Sequence, residues 1–153
     1  MQKIKIHDLT PGLVAGVEVQ MPDTIQPYKE RYFEWSGSSL IACLSTNLVT
    51  GGVLKSWRHV PVFQEIEFHV DTEMFYFISG VALLLFVDIE AGEPDQQSAQ
   101  LVRVKPGTQI VISAGKGHFV PVAEGNDPVE IIVVAPKMEA PRMLLKEEIA
   151  GIP

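Results

Sequence analysis

Short apolar stretches recur along the chain, and turn-forming residues separate them. Val81–Val87 and Val129–Ala135 are strand-length runs, and the second is rich in β-branched residues that favour strands. Glycine- and proline-containing segments follow at about every 8–12 residues, and a helical period is scarce. The pattern predicts an all-β chain that folds as one domain over residues 1–153, either a sandwich or a barrel.

Individual segments carry more specific expectations. An alternating segment at the N-terminus, Lys3–Ile6, predicts an edge strand, and the residues around 141–150 predict a terminal strand or a short helix. Polar residues with a glycine and a proline predict a loop at Glu90–Gln100, and Thr50-Gly51-Gly52 predicts a tight turn. The other predicted strands include Ser39–Leu48, Val53–Trp57, Phe63–Val70, Met74–Ile78, Ala82–Val87 and Gln109–Ile112.

The segment Phe63–Val70 alternates, but its polar face holds two residues that can bind a metal. Because side chains point to opposite sides of a strand in turn, Glu67 and His69 share a face. In a small barrel a polar face can point inward where it lines a ligand cavity. The pattern therefore predicts a site inside the barrel.

Composition and charge exclude several classes of protein. Hydrophobic residues make up 46% of the 153 residues and charged residues 20%, which is a globular composition. No apolar run approaches the ~20 residues of a membrane span, and no secretory signal is visible. A net charge of −7 argues against a nucleic-acid partner. A single cysteine, Cys43, cannot form an internal disulfide, so we expect a cytoplasmic protein.

Four side chains form the candidate chemistry. Glu67, His69 and Glu73 lie within seven residues, and His118 follows about fifty residues later. Two imidazoles and two carboxylates suit a divalent Mn, Fe, Co, Ni or Zn ion, and ligand identity alone does not select one. Without a metal, two adjacent glutamates would compete for ionisation, and one would hold a proton. Glu67 and Glu73 are therefore also predicted catalytic acid/base residues.

The spacing of these residues resembles the two sequence motifs of cupins. Glu67-x-His69-x3-Glu73-x6-Gly80 is similar to the first motif, although the first ligand is usually a histidine and Pro61 stands in place of the leading glycine. Gly107-x5-Ser113-x-Gly115-x2-His118 is similar to the second motif. That segment has Ser113 where the motif has proline and Val122 where it has asparagine. The resemblance covers about residues 50–136.

The cupin resemblance implies a double-sheet jelly-roll barrel with one metal site built from Glu67, His69, Glu73 and His118. A further resemblance, to ureidoglycolate lyases, depends on Arg58, Pro61, Glu67-x-His69 and the aromatic segment before Gly80. It implies a small polar substrate whose carboxylate pairs with Arg58. Lys116, beside His118, is a second candidate substrate contact.

Three functions remain open at this point, because one scaffold hosts many chemistries. The first is an enzyme on a small carboxylate-bearing molecule, such as a lyase that releases urea from ureidoglycolate. The second is a non-catalytic small-molecule binder or sensor. The third is a metal-dependent isomerase or dioxygenase. A homodimer is also expected, because an exposed edge strand at Lys3–Ile6 could pair across a two-fold axis.

Overall fold

The computed structural model describes residues 1–153 and consists of strands and connecting segments, without a helix. No helix with the length and apolar character needed to cross a bilayer is therefore present. The strands in chain order are β1 (Gln2–Asp8), β2 (Val17–Gln20), β3 (Tyr28–Lys29), β4 (Glu34–Trp35), β5 (Val49–Ser56), β6 (Val62–Glu67), β7 (Glu73–Ser79), β8 (Ala82–Glu90), β9 (Glu93–Val104), β10 (Gln109–Ile112), β11 (Gly117–His118), β12 (Val122–Ala123), β13 (Val129–Pro136) and β14 (Arg142–Ile152).

Six strands of the larger sheet close into a ring. The order of this first sheet is β11-β6-β14-β1-β9-β8-β12, and β11 pairs with both β6 and β8, which joins the ring. A second sheet has the order β2-β10-β7-β13-β5, and β3 and β4 form a separate hairpin. The two sheets stack through a shared apolar core, so the architecture is a double-sheet jelly roll.

Strand β8 is buried on both faces, which explains its unbroken apolar sequence. Leu84 and Phe86 point into the core between the two sheets, the inter-sheet core. Leu83, Leu85 and Val87 point into a second core enclosed by the ring, the ring core. Because alternate side chains enter different cores, every position from Ala82 to Val87 is apolar.

The N-terminal strand is not an edge strand, and that prediction is wrong. Strand β1 lies between β14 and β9 and pairs in parallel with both. Ile4 and Ile6 pack against the ring core. Its alternation reflects one buried face and one exposed face, a pattern that cannot tell an edge strand from an interior one. The basis given above for a dimer through Lys3–Ile6 is therefore lost.

Two further predictions about irregular segments are also wrong. The polar segment Glu90–Gln100 is a hairpin: β8 and β9 turn at Ala91 and Gly92, both with positive φ, and β9 carries polar residues on its solvent side. The apolar segment Ser39–Leu48 forms no strand. Hydrogen bonds from this segment to side chains elsewhere in the chain fix its position. For example, the Gln20 side-chain oxygen accepts from the backbone N–H of Ser39 at 2.6 Å.

Two strand boundaries differ from the prediction, and of the two alternatives at the C-terminus the strand is the one observed. Gly51 and Gly52 continue β5 rather than turning, since this strand pairs with β13 along its whole length. Residues 142–152 form a long strand and no helix. Strand β6 ends at Glu67, so His69 lies on the connection to β7 and not on the strand itself.

Candidate metal centre

His118 stands where β11 meets its two neighbours. It pairs with Glu67 of β6 and with Phe86 of β8, and it is 1% exposed. The imidazole packs edge-on against Phe75, with ring centroids 5.9 Å apart, and lies 6.5 Å from the Phe86 ring. The residue before it must be small, because a Cβ on Gly117 would lie 2.8 Å from the Val87 carbonyl oxygen. Packing thus fixes the position of this histidine.

His69 and Glu73 lie on either side of a short turn that a buried aspartate holds. Asp71 accepts from the N–H of Thr72 at 2.7 Å and from the N–H of Ser45 at 2.9 Å. Hydrogen bonds from the Ser45 hydroxyl and from these N–H groups lower the pKa of Asp71. The His69 carbonyl accepts from the N–H of Gly115 at 2.7 Å, which ties this turn to the segment before His118.

The four predicted ligands come together in the folded chain. Glu73 Oε2 lies 3.1 Å from His118 Nε2 and 3.3 Å from His69 Nε2. Ligand atoms of Glu67, His69 and His118 lie within 4.8 Å of one another. The cluster is largely buried, with Glu73 8% exposed and His69 7% exposed. Two imidazole nitrogens and two carboxylates therefore face one small volume.

The second nitrogen of each imidazole identifies its tautomer. His118 Nδ1 lies 3.0 Å from the carbonyl oxygen of Lys116, and His69 Nδ1 lies 3.3 Å from that of Glu139. A carbonyl oxygen only accepts, so both Nδ1 atoms carry hydrogen, and in the neutral ring both Nε2 atoms carry a lone pair. Metal-binding histidines are commonly oriented in this way.

This tautomer places three acceptor atoms against one another: both Nε2 atoms and Glu73 Oε2. His69 Nε2 is buried without a hydrogen-bond partner, because its 3.3 Å approach to Glu73 is not aligned as a hydrogen bond. Buried acceptors in contact require a proton or a cation between them. The donor set suits a divalent ion, so the residues present fit a metal.

Electrostatics keep Glu73 ionised. Burial raises the pKa of this carboxyl, but hydrogen bonds and charge from His118 and His69 outweigh it and lower the pKa to about 2. In return, Glu73 raises the pKa of His69, against the opposing effect of burial. Of the two glutamates, Glu73 is therefore the one kept ionised by its contacts with both imidazoles.

A cavity of about 390 Å³ opens onto this cluster. Glu67, His69 and Glu73 form one wall. The other lining residues come from β5, β13 and the connection after β13, and they are Thr50, Gly51, Gly52, Val53, Leu54, Val133, Ala135, Pro136, Met138 and Ala140. The cavity therefore has a polar, acidic wall and a mainly apolar wall.

Neither of the predicted cationic contacts lines this cavity. Arg58 follows the end of β5, donates to Asn126 Oδ1 at 3.1 Å, and lines a separate surface depression of about 610 Å³. Lys116 is buried and its Nζ lies 2.5 Å from Asp88 Oδ1. The carbonyl of Lys116, rather than its ammonium, serves the site by accepting from His118.

The sequence reasoning missed the residues that support and enclose the ligands. Asp71 could have been identified from the sequence, because it lies between two predicted ligands. No sequence pattern indicates the roles of the Glu139 carbonyl and the Met138 side chain. They lie on a connection some seventy residues from His69 and approach it only in the folded chain.

No protein-family profile and no curated protein matches the sequence. Among solved structures, a dTDP sugar isomerase from Desulfovibrio desulfuricans is 11% identical with a TM-score of 0.55, and the match covers 86% of this chain and 85% of that one. Bacillus subtilis oxalate decarboxylase is 17% identical with a TM-score of 0.46 over 64% of this chain, which spans only 24% of that protein.

Likeness at such low identity shows the fold alone. The isomerase match covers most of both chains, and it agrees with the stacked sheets and the ring described above. The fold is a cupin-type double-sheet jelly-roll barrel in a single domain, which confirms the fold prediction made from the two motifs.

Proposed function

We propose that this protein is a metal-dependent enzyme that acts on a small molecule in the cavity beside Glu67, His69, Glu73 and His118. The observation that carries the proposal is the convergence of two Nε2 lone pairs on one ionised carboxylate oxygen, at 3.1 and 3.3 Å. With neutral imidazoles this arrangement of acceptors is unfavourable unless a metal ion or a proton joins them. No lysine or arginine side chain lines the cavity to contribute a positive charge.

The four side chains have different proposed roles, which follow from their burial and contacts. His118 and His69 would hold the ion through Nε2, and Glu73, which both imidazoles keep ionised, would supply charge. A bound divalent ion would act as a Lewis acid and orient a substrate oxygen. Glu67 is less buried than Glu73 and lines the cavity, so it is the carboxylate placed to exchange a proton with the substrate.

A ureidoglycolate lyase is a narrower version of this proposal. It keeps the proton transfer by a glutamate, but it requires a partner for the substrate carboxylate. Arg58 was proposed for that part and lies on a different surface, so the ion itself would have to bind the carboxylate. Release of glyoxylate from ureidoglycolate by the metal-loaded protein tests this version directly.

A non-catalytic binder is the second candidate, because the same enclosed cavity would serve a sensor. One experiment in two stages distinguishes the enzyme from the non-catalytic binder. Isothermal titration with Mn²⁺, Co²⁺, Ni²⁺ and Zn²⁺ first tests for one high-affinity site per chain, and failure of all four ions would reject the metal proposal. The loaded protein is then screened for lyase, isomerase and dioxygenase turnover, and Glu67→Gln serves as the variant expected to bind metal but lose turnover.

A further inference from the structure

We infer that the molecule bound in this cavity is uncharged and largely apolar, with a single polar end directed at the metal cluster. This inference rests on the proposed function for the identity of the polar end. The apolar wall is formed by inward-facing residues of β5 and β13. Register pairs Gly52 with Val133 and Thr50 with Ala135, and Leu54 pairs with Ile131 of the inter-sheet core.

No cationic side chain lines the cavity to receive an anionic substrate. The cations in the surrounding segments are engaged elsewhere or point outward. Lys116 is paired with Asp88, Arg142 with Glu65 at 3.0 Å, and Lys137 is exposed between two lining residues without lining the cavity itself. An anion placed against the apolar wall would lose its hydration without gaining a partner there.

The charge of the metal cluster supports the same conclusion. Two ionised glutamates would neutralise a divalent cation, so the loaded site offers no surplus positive charge to a second anion. The whole chain also carries −7, which disfavours the approach of anions. An uncharged group that coordinates through oxygen meets neither obstacle, and its apolar remainder matches the opposite wall.

Gly52 sets the depth of the cavity. A Cβ built on it would meet no atom within 4 Å, although the residue faces inward opposite Val133. The neighbouring Gly51 is different, since a Cβ there would lie 2.7 Å from the Val133 carbonyl oxygen. Gly52→Val therefore fills the cavity without straining the strand, which makes it a selective probe.

The test compares two probes that share a metal-binding group and differ only at the far end. Hexanamide, which coordinates through a neutral carbonyl oxygen, ends in a methyl group, and adipic acid monoamide ends in a carboxylate. Titration into the Co²⁺-loaded protein should give at least tenfold tighter binding of the hexanoyl probe. Equal binding, or tighter binding of the carboxylate probe, would overturn the inference while leaving the metal site intact.

A metal-free arm separates this inference from the proposed function. In thermal unfolding of the metal-free protein, 1-hexanol should stabilise the wild type more than hexanoate does at equal concentration. Gly52→Val should abolish the effect of hexanol and the binding of hexanamide while Co²⁺ still binds. If no metal binds at all, the proposed function fails, and the hexanol and hexanoate comparison still decides the inference. If hexanol stabilises Gly52→Val as much as the wild type, the conclusion that the apolar ligand binds in this cavity is overturned.

Independently, we propose that the outer face of the second sheet is covered by a second copy of this chain. Val53, Ile132 and Tyr76 lie side by side across β5, β13 and β7 and are 72%, 41% and 41% exposed. Ile78, farther along β7, is 44% exposed. Strand β5 is also at the sheet edge, so its outer backbone groups are unpaired.

The size and charge of this surface favour a second copy. The β3–β4 hairpin extends it, because Glu34 and Ser36 on either side of Trp35 line one depression with Tyr76. With aromatic side chains offering 150–250 Å² each, the exposed apolar groups amount to roughly 600 Å², close to the ~800 Å² per partner of a stable interface. The adjacent charges, Lys55 and Glu130, already pair with each other at 2.8 Å. A neutral apolar face is complementary to itself.

Sedimentation equilibrium at micromolar concentrations should show a dimer for the wild type and a monomer for Ile132→Glu. Circular dichroism and metal binding check that the variant is folded, and Ile78→Glu on β7 provides a second variant if it is not. A monomeric wild type, or a dimer that survives in both folded variants, would overturn the proposal.

Discussion

Glu73→Gln should weaken metal binding and leave the metal-free fold intact. The substitution keeps the shape of the side chain but replaces an acceptor that faces two Nε2 lone pairs with an amide that carries two N–H donors. The oxygen it replaces lies 3.1 Å from His118 Nε2 and 3.3 Å from His69 Nε2. In the absence of metal, the amide can donate to the imidazoles, so the conflict among acceptors is relieved.

The expected magnitudes follow from burial. At an effective dielectric near 20, two unit charges about 4 Å apart attract by about 4 kcal/mol, and desolvation of the carboxylate offsets part of this. A loss of about 2–4 kcal/mol corresponds to roughly 30- to 1,000-fold weaker metal binding. At a pH above the raised pKa of His69, where the imidazoles are neutral, one or two hydrogen bonds of about 1 kcal/mol each should keep the unfolding free energy of the metal-free variant at or above that of wild type.

Titration calorimetry measures the metal affinity, and urea unfolding of the metal-free protein measures stability. Glu65→Gln is the matched control: its carboxylate is also on this barrel but accepts from Arg142 Nη1 outside the cluster, so metal affinity should not change. The reasoning is refuted if Glu73→Gln binds metal as tightly as wild type. It is also refuted if the metal-free variant unfolds at least 2 kcal/mol more easily, since Glu73 would then form a structural ion pair.

Three further predictions concern the surrounding fold. Gly80→Ala combines a φ of +72° with a Cβ that would clash with the Pro128 carbonyl oxygen. It should cost at least about 3 kcal/mol in urea unfolding, whereas Gly92→Ala, left-handed but in open space, should cost about 1–2 kcal/mol; equal costs would contradict the clash. Arg58→Ala should leave metal affinity and turnover within about twofold of wild type, in line with the usual effect of surface changes, and a large loss would return Arg58 to the site. Arg103 lowers the pKa of Glu124 from its ordinary 4.5, so the ionised carboxylate stabilises the folded state above pH 4.5. The free energy of unfolding should therefore decrease as the pH falls below 4.5 and Glu124 becomes protonated. Arg103→Met should flatten this dependence, and an unchanged pH profile would reject the pairing.

The fold was predictable because two features of the sequence do not depend on tertiary contacts. The motif spacing placed Glu67, His69, Glu73 and His118 in one site, and the apolar run Val81–Val87 predicted a strand, which the structure buries on both faces. The failures share one cause. Alternation reports how many faces of a strand are buried, but it does not report which strands lie beside it. The N-terminal strand was therefore predicted to be an edge strand, although it lies between β14 and β9.

The remaining features of the site depend on contacts between distant segments. Strand period placed His69 on β6, but the strand ends at Glu67 and the turn held by Asp71 positions the imidazole instead. Arg58 was predicted from the ureidoglycolate lyase resemblance, and Lys116 from its position beside His118 in the sequence. Their side chains pair with Asn126 and Asp88, partners that no local pattern indicates.

Rigid packing explains how the chain can hold acceptor atoms so close together. His118 lies where the inter-sheet core meets the cavity, with Phe75 and Phe86 against its ring and no room for a side chain at Gly117. Close-packed interiors resist relaxation, so the repulsion among the acceptors is retained in the folded state rather than relieved by movement. A cation that fills the site removes this repulsion without reorganising its ligands, which is the condition for tight and geometrically selective binding. Metal binding should therefore raise the unfolding free energy by mass action, and the packing around His118 determines how much of the binding energy appears as stability.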